Sequence, residues 1–309
     1  MEDNVNNGTS TPDAGDRPRR VLVTGGAGML GSQVLLAVPD DIEALGTDMR
    51  EAPGVDMPGV DLTDAAQVDG LFEQLAPIDG VIHTAAYTAV DRAEEEEALA
   101  SAINGDACGV LARAAAKVGV PLVLVSTDFV FDGSATTPYT ESASTNPQSV
   151  YGATKLDGEA QAIAAHPGGA KVVRTQWLYG PRGSHFPHTM QRLAKERDRL
   201  KVVSDQVGSP TSTLELAPAL WDVLISGDPG IWHAACAGAC SWYDLAVATI
   251  EASEIEGVEV EPCSTEEFPR PAARPAYSAL ECSKLEQLRG KPMAPWKDAL
   301  LTYLGSESS

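Results

Sequence analysis

The sequence is poor in positive charge, cysteine and aromatic rings, and no hydrophobic run in it is long. Each shortage excludes something. Against 44 Asp and Glu stand 22 Lys and Arg, a formal net charge of −22 at pH 7. Charge of that sign repels phosphate backbones and anionic lipid, so neither a nucleic-acid partner nor a membrane-surface partner is expected. The five cysteines (Cys108, Cys236, Cys240, Cys263 and Cys282) are an odd number, and no spacing among them makes a C-x-x-C pair or half a zinc site. Free thiols are expected, and no metal. No apolar run nears the ~18 residues that span a bilayer, and residues 1–20 hold no apolar core of a signal peptide. The expected location is the cytoplasm. What is present is ample for a core: 43% hydrophobic residues over 309 positions suit one large α/β domain or two packed lobes.

Residues 1–19 are polar, rich in Gly, Pro and Asn, and without periodicity, which reads as a disordered tail. Beyond it, short β-branched runs alternate with longer Ala- and Leu-rich stretches. The runs VLVT (21–24), IEALGT (42–47), GVIHT (80–84), PLVLVST (121–127), KVVRTQW (171–177) and LKVVSD (200–205) read as apolar on consecutive positions. That is the pattern of strands buried on both faces of a parallel sheet. Helices are predicted at 29–38, 63–76, 94–118, 152–166, 186–199 and 213–226, with more at 241–254 and near the C-terminus. The alternation implies a Rossmann-like, doubly wound parallel α/β sheet. Residues 20–180 form its main domain, with 200–235 returning to it. Pro and Gly clusters after Pro181 set apart 181–199 and 236–309 as a smaller α/β substrate lobe, at the carboxyl ends of the strands.

TGGAGMLG (24–31) follows the first run and opens the first helix. Gly25 permits a tight turn, Gly28 lets the backbone approach a pyrophosphate, and Gly31 lets helix and strand pack closely. The helix start at Met29 and Leu30 presents free N–H groups and a positive dipole end to the anion. A dinucleotide site also wants an acid at the end of the second strand for the ribose 2′-OH. Asp48 supplies it and disfavours a 2′-phosphate, whereas Arg50 could clamp one. Asp61 and Leu62, after the next short strand, are placed to hold the adenine edge. These residues leave both NADPH and NADH open.

Ser126-Thr127-Asp128 closes a strongly apolar run, and Tyr151-Gly-Ala-Thr-Lys155 opens a helix. Tyr and Lys four apart share one helix face, so the ammonium is expected beside the phenol, lowering its pKa toward the working range. Tyr151 would then give a proton to a carbonyl oxygen as hydride arrives from a nicotinamide, with the Thr127 hydroxyl on the same oxygen. Y-x-x-x-K alone is common in helices. Combined with the glycine loop and STD it is the signature of the extended short-chain dehydrogenase/reductase superfamily. More narrowly, the chain resembles the dTDP-4-dehydrorhamnose reductase family over nearly everything after the tail. Besides the glycine loop, the resemblance rests on HTAAYTAVDRAE (83–94), STDFVFDG (126–133), YGATK (151–155), RTQWLYG (174–180), DQVGSPT (205–211) and RPAYSAL (274–280).

The resemblance implies reduction of the C4 keto group of a dTDP-linked 4-keto-6-deoxy sugar, dTDP-4-dehydro-L-rhamnose to dTDP-L-rhamnose. NADPH is the implied cofactor, with NADH also accepted, and the protein a monomer or homodimer. By the same resemblance Thr127, Tyr151 and Lys155 are catalytic, and Ala85, Ala86, Thr88 and Asp48 line the cofactor. Thr127 and Asp128 stand at the substrate, Trp177 packs against the sugar ring and Arg274 meets the substrate pyrophosphate. Gln33 stands where metal-linked dimers of the family carry an acid, so no metal is expected at a dimer contact. His83 reads as a structural strand-end residue, His185-x-x-His188 lacks a third ligand, and Glu94–Glu97 reads as a solvated helix start. Phe129 occupies the place where sugar-nucleotide dehydratases carry a Glu, and a phenyl ring cannot move a proton, which excludes dehydration. Two alternatives stand beside this reading. One is a 4-ketoreductase for another dTDP-deoxysugar of natural-product biosynthesis. The other is a non-catalytic NAD(P)-binding regulatory subunit, because STDFVFDG is close to the block of relatives with that role.

Overall fold

The computed structural model of the chain describes residues 19–307. The tail expected over 1–19 lies outside them except for Arg19, which opens the first strand. In chain order the strands are β1 (Arg19–Thr24), β2 (Ile42–Asp48), β3 (Met57–Pro58), β4 (Gly80–His83), β5 (Leu122–Thr127), β6 (Ala170–Thr175) and β7 (Leu178–Tyr179). There follow β8 (Arg199–Val203), β9 (Val207–Gly208), β10 (Thr211–Ser212), β11 (Gly230–His233), β12 (Cys240–Ser241) and β13 (Glu259–Cys263). Seven of them make one parallel sheet in the order β11-β6-β5-β4-β1-β2-β3.

The consecutive apolar residues of the central strands divide between two cores. Val21, Val23, Ile82, Val123 and Val173 face one, and Leu22, Val81, Leu122, Leu124 and Val172 the other. A strand buried on both faces needs apolar side chains at every position, because successive side chains alternate faces.

The helices are α1 (Met29–Leu36), α2 (Ala65–Leu75), α3 (Val90–Ala93), α4 (Glu97–Ser101), α5 (Ala107–Val118) and α6 (Val150–Ala165). They continue with α7 (Phe186–Glu196), α8 (Thr213–Ser226), α9 (Trp242–Ala252), α10 (Ser283–Arg289) and α11 (Trp296–Glu307). The helix predicted at 94–118 begins at Glu97 and is widened by a π-turn over Ala102–Asp106, which joins α4 to α5 without a break. There the Asn104 amide is drawn off to the Tyr87 backbone (2.9 and 3.1 Å) and to Thr154 Oγ1 (3.2 Å). Among the described residues no helix is long and apolar enough to cross a membrane.

The run at 200–205 does not join the large sheet. Strand β8 pairs in parallel with β13, the two forming a separate sheet. Its burial alternates, with Leu200 and Val202 inside and Lys201 exposed, the mark of a strand covered on one face only. Of the segment expected to return to the large sheet, α8 packs on it and β11 supplies its edge strand. Lys171 on β6 is buried and donates to the Val223 and Leu224 carbonyls (3.0 and 2.7 Å), closing the C-terminal end of α8 with a cation.

Candidate active site

A cleft of about 900 Å³ runs over the carboxyl ends of β1, β4, β5 and β6. The chain runs from β1 outward through β2 and β3, then crosses back to β4 on the other side of β1, so the strand order reverses there. Such a switch point opens a crevice at the strand ends. Gly25, Gly28, Met29, Leu30 and Gly31 line one wall of it. Gly25 has φ +74°, and a Cβ there would stand 2.6 Å from the Ala85 nitrogen. A Cβ on Gly31 would overlap the Gly25 carbonyl. Gly28 starts α1 with no side-chain cap and no acid in the first turn, which leaves the helix amides to an anion. A backbone cradle without side chains at an uncapped helix start fits the diphosphate of a dinucleotide.

Asp48, Arg50, Asp61, Leu62, Ala85, Ala86 and Thr88 line the same end. Asp48 does more than face the cleft. Its Oδ2 accepts from the Ala27 N–H (3.1 Å) and its Oδ1 from the Arg50 N–H (3.0 Å), tying the glycine loop to the end of β2. The Arg50 side chain is 72% exposed, with Nε 3.6 Å from Asp48 Oδ1. Asp61 Oδ1 is engaged by Thr63, accepting from its N–H at 2.9 Å and its hydroxyl at 2.7 Å.

Thr127, Asp128, Tyr151, Lys155 and Trp177 line the other wall. The sequence of α6 explains how Tyr151 reaches Thr127. Ser149 Oγ accepts from the Gly152 N–H (3.1 Å) and Glu94 Oε1 from the Val150 N–H (2.9 Å), so two side chains cap the start of α6. Gly152 has no Cβ to collide with the Phe129 carbonyl, and the Phe129 ring meets Tyr151 edge-on, 5.4 Å between centroids. Glu94 is thus a cap for the helix that carries Tyr151. Its neighbour Glu96 accepts from the Tyr87 hydroxyl and from Arg92. The acidic strip, expected to be merely solvated, is bonded at both residues.

The expected pairing of phenol and ammonium is not what the cleft holds. Lys155 is 4% exposed, and its Nζ donates to the Val125 carbonyl at 2.7 Å. A desolvated ammonium needs an acceptor, and the end of β5 offers one. Burial lowers the Lys155 pKa, against the charges of Cys108 and Glu159. Burial also pushes Tyr151 up to about 12; the Thr127 hydroxyl pulls it down and the Asp128 charge pushes it further up. Asp128 itself is driven to about 6 by burial, against the nearby Ser278 and Thr127 hydroxyls. Thr127 Oγ1 donates to Asp128 Oδ1 at 3.0 Å and accepts from the Phe129 N–H at 3.2 Å.

Arg274 lies outside the cleft lining. Its guanidinium holds Asp91 of α3 through two nitrogens (2.7 and 2.9 Å) and donates to the Ala272 carbonyl. The carboxylate satisfies it in a bidentate pair, and the expected contact with a substrate pyrophosphate finds the group already engaged. The histidine pair is likewise local. His185 Nδ1 accepts from the His188 N–H at 3.3 Å and caps α7. Among the described residues no group of three His, Cys, Asp or Glu side chains is placed to hold a metal ion.

Glu159, Arg174, Thr175 and Gln176 are groups at the site that were not anticipated. Ser126 Oγ donates to Glu159 Oε1 (2.5 Å), and Arg174 binds both oxygens of Glu159 (2.9 and 2.6 Å) with almost no exposure. Glu159 is one turn beyond Lys155, so this ion pair fastens the face of α6 to β6. His83 Nδ1 stands 2.6 Å from Thr24 Oγ1, and burial beside Lys155 lowers it to about 3, so the ring is neutral. Trp177 has φ +50° and stacks on Trp242, 3.5 Å between centroids and 8° from parallel. Thr175 and Gln176, buried, complete this wall. A glutamine between a buried strand and a tryptophan, at the carboxyl edge of the sheet, was the one signal of them in the sequence.

Residues 19–308 match the family model described as RmlD substrate binding domain. A dTDP-4-dehydrorhamnose reductase of Mycolicibacterium smegmatis is 41% identical over 285 residues, covering 91% of this chain and 84% of the relative. A solved dTDP-4-dehydrorhamnose reductase of Clostridium acetobutylicum superposes with TM-score 0.87 at 43% identity, covering 94% of this chain and 100% of that one. That of Bacillus anthracis, in complex with NADP, gives TM-score 0.86 at 35% identity over 94% and 99% of the two chains. With the glycine cradle, the Thr127–Tyr151–Lys155 wall and these likenesses over nearly its whole length, the chain belongs to the dTDP-4-dehydrorhamnose reductase family.

Proposed function

We propose that the protein is an NADPH-dependent oxidoreductase that reduces the C4 keto group of a dTDP-linked 4-keto-6-deoxy sugar, converting dTDP-4-dehydro-L-rhamnose to dTDP-L-rhamnose. The observation that carries the reading is one cleft with the glycine cradle on one wall and Thr127, Tyr151 and Lys155 on the other. Gly25, Gly28 and the first amides of α1 hold the cofactor diphosphate, and Asp48, Arg50, Asp61 and Leu62 its adenosine end. Ala85, Ala86 and Thr88 line the path between. When bound, the nicotinamide supplies the hydride.

The chain's own residues handle the proton. A phenol raised to about 12 keeps its proton through the working range, so Tyr151 acts as donor to the C4 oxygen and not as base. The Thr127 hydroxyl bonds to the same oxygen by turning its one proton away from Asp128 Oδ1, where it rests at 3.0 Å. Lys155, one turn along α6, donates to the Val125 carbonyl at the end of β5 and keeps a positive charge in the same wall as the phenol. Asp128 and Trp177 face the sugar, which enters from the side of α7, α9 and the C-terminal helices, the substrate lobe of 181–199 and 236–309. Asp48 and the exposed Arg50 stand together where a 2′-phosphate would lie, which supports acceptance of both cofactors with NADPH ahead.

The test is product NMR after incubation with NADPH and a dTDP-4-keto-6-deoxyhexose, with and without a 3,5-epimerase. The expected product is dTDP-L-rhamnose, formed only with the epimerase present. Absence of NADPH oxidation under both conditions overturns the reading and favours the regulatory-subunit alternative.

A further inference from the structure

Gln176 is held in a way that leaves half of it without a purpose inside the protein. The residue is 2% exposed and lines the cleft. Its Oε1 accepts from the Ser209 N–H at 3.0 Å and from Ser278 Oγ at 3.2 Å. A backbone N–H can only donate, so the atom facing it is the oxygen and the amide is oriented without ambiguity. The Nε2 group, carrying two N–H donors, therefore points away from both partners and has no acceptor. Thr175 Oγ1, beside it, has none either. Buried donors left unpaired are costly, and native proteins keep few of them.

The surroundings are shaped to keep Gln176 there. A Cβ on Gly208 would stand 2.6 Å from Gln176 Oε1 and 2.7 Å from the Trp177 ring, so β9 approaches only because that position is glycine. The chain then turns through the left-handed φ of +50° at Trp177, a conformation a bulky residue adopts only when its setting enforces it. Thr175 pairs with Thr127 across β5 and β6, strands about 4.8 Å apart. Gln176 follows one residue beyond that pair, which puts it on the same stretch of the cleft wall as Thr127.

We propose that Gln176 Nε2 donates to the hydroxyl on C3 of the sugar, next to the carbonyl that is reduced, and so selects substrates that carry it. The inference rests on the sugar-reductase reading above. A sugar with that hydroxyl supplies the missing acceptor. A sugar without it enters the cleft and leaves the amide unpaired, which is how a polar site discriminates strongly between near-isosteres.

The experiment compares wild type and Gln176→Met on a dTDP-4-keto-6-deoxyhexose and on its 3-deoxy analogue. Wild type should favour the hydroxylated sugar by about 10- to 100-fold in kcat/KM, and Gln176→Met by no more than roughly threefold. Any intrinsic change in ketone reactivity is common to both proteins and cancels in the ratio of ratios. NADPH affinity, by fluorescence titration, confirms that the variant is folded. Should it not fold, wild type alone decides: the reduced dTDP-sugar, which has no carbonyl, should inhibit about 10-fold better than its 3-deoxy form. Equal inhibition, or a preference that survives in Gln176→Met, overturns the assignment of Gln176 alone. A wild type that reduces neither sugar overturns the reductase reading and this inference with it.

Discussion

The two walls of the cleft are made of opposite materials. The wall at α1 is backbone and small residues: Gly25, Gly28, Gly31, Ala85 and Ala86. The wall at β5, β6 and α6 is polar side chains taken almost wholly out of water: Thr127, Asp128, Lys155, Thr175 and Gln176 are each at most 5% exposed. On the first wall what counts is the room left by absent atoms. On the second it is which donor has an acceptor and which acid has its proton. Substitutions on the first should therefore act through cofactor fit, and on the second through chemistry and ionisation.

The sharpest way to break that contrast is at the phenol. Tyr151→Phe keeps the ring against Phe129 but removes the proton donor, so kcat should fall by about 10²–10⁴-fold, while NADPH affinity by fluorescence titration stays near wild type. Turnover close to wild type would take the proton-donor role away from Tyr151. Next in size is Asp128. Burial raises it from an ordinary 3.8 to about 6, so the folded chain holds a proton that the unfolded chain has released. Stability must then fall as pH climbs from about 4 to about 6, and stay lower above. Asp128→Asn should gain about 3 kcal/mol at pH 7 and nothing near pH 3. Denaturant melts across that range decide it, and a gain that does not vary with pH would mean Asp128 is not buried as an acid.

The smallest effect belongs to the glycine wall. Asp48→Ala removes a charge from the 2′ position and the tether on Ala27 together. The NADPH to NADH ratio of kcat/KM should rise roughly threefold as like-charge repulsion goes, with both KM values higher. An unchanged ratio with raised KM values would reduce Asp48 to a tether of the loop.

What the sequence made legible follows the same division. The glycine loop and the Tyr–Lys helix are local patterns, in which the residues that act together lie within one turn or one loop. Their positions in the cleft agree with the spacing. Long-range pairing was not legible. Arg274 finds Asp91 across 183 positions of chain, and nothing in RPAYSAL announces that partner. Strand β8 was misassigned for a readable reason, since Lys201 interrupts its apolar run and only one face is covered. Lys155 was expected to serve Tyr151, but a buried ammonium takes whichever acceptor its burial leaves within reach, here a carbonyl of its neighbouring strand. Gln176 and Glu159 acquire their meaning from Ser209, Ser278 and Arg174, none of them close by in sequence.

The stack of Trp177 on Trp242 bears on how this enzyme could be re-engineered. Because Trp177 sits in a left-handed conformation, a smaller β-branched replacement meets the backbone at its worst, and only Gly or Asn accepts it readily. Because Gly208 lies against the ring, filling the vacated space from that side needs a second change, and Trp242 loses its partner face meanwhile. A library randomised at position 177 alone would return mostly unfolded or unaltered proteins. A route to new sugar acceptance runs through positions 177, 208 and 242 varied together, as one unit of design.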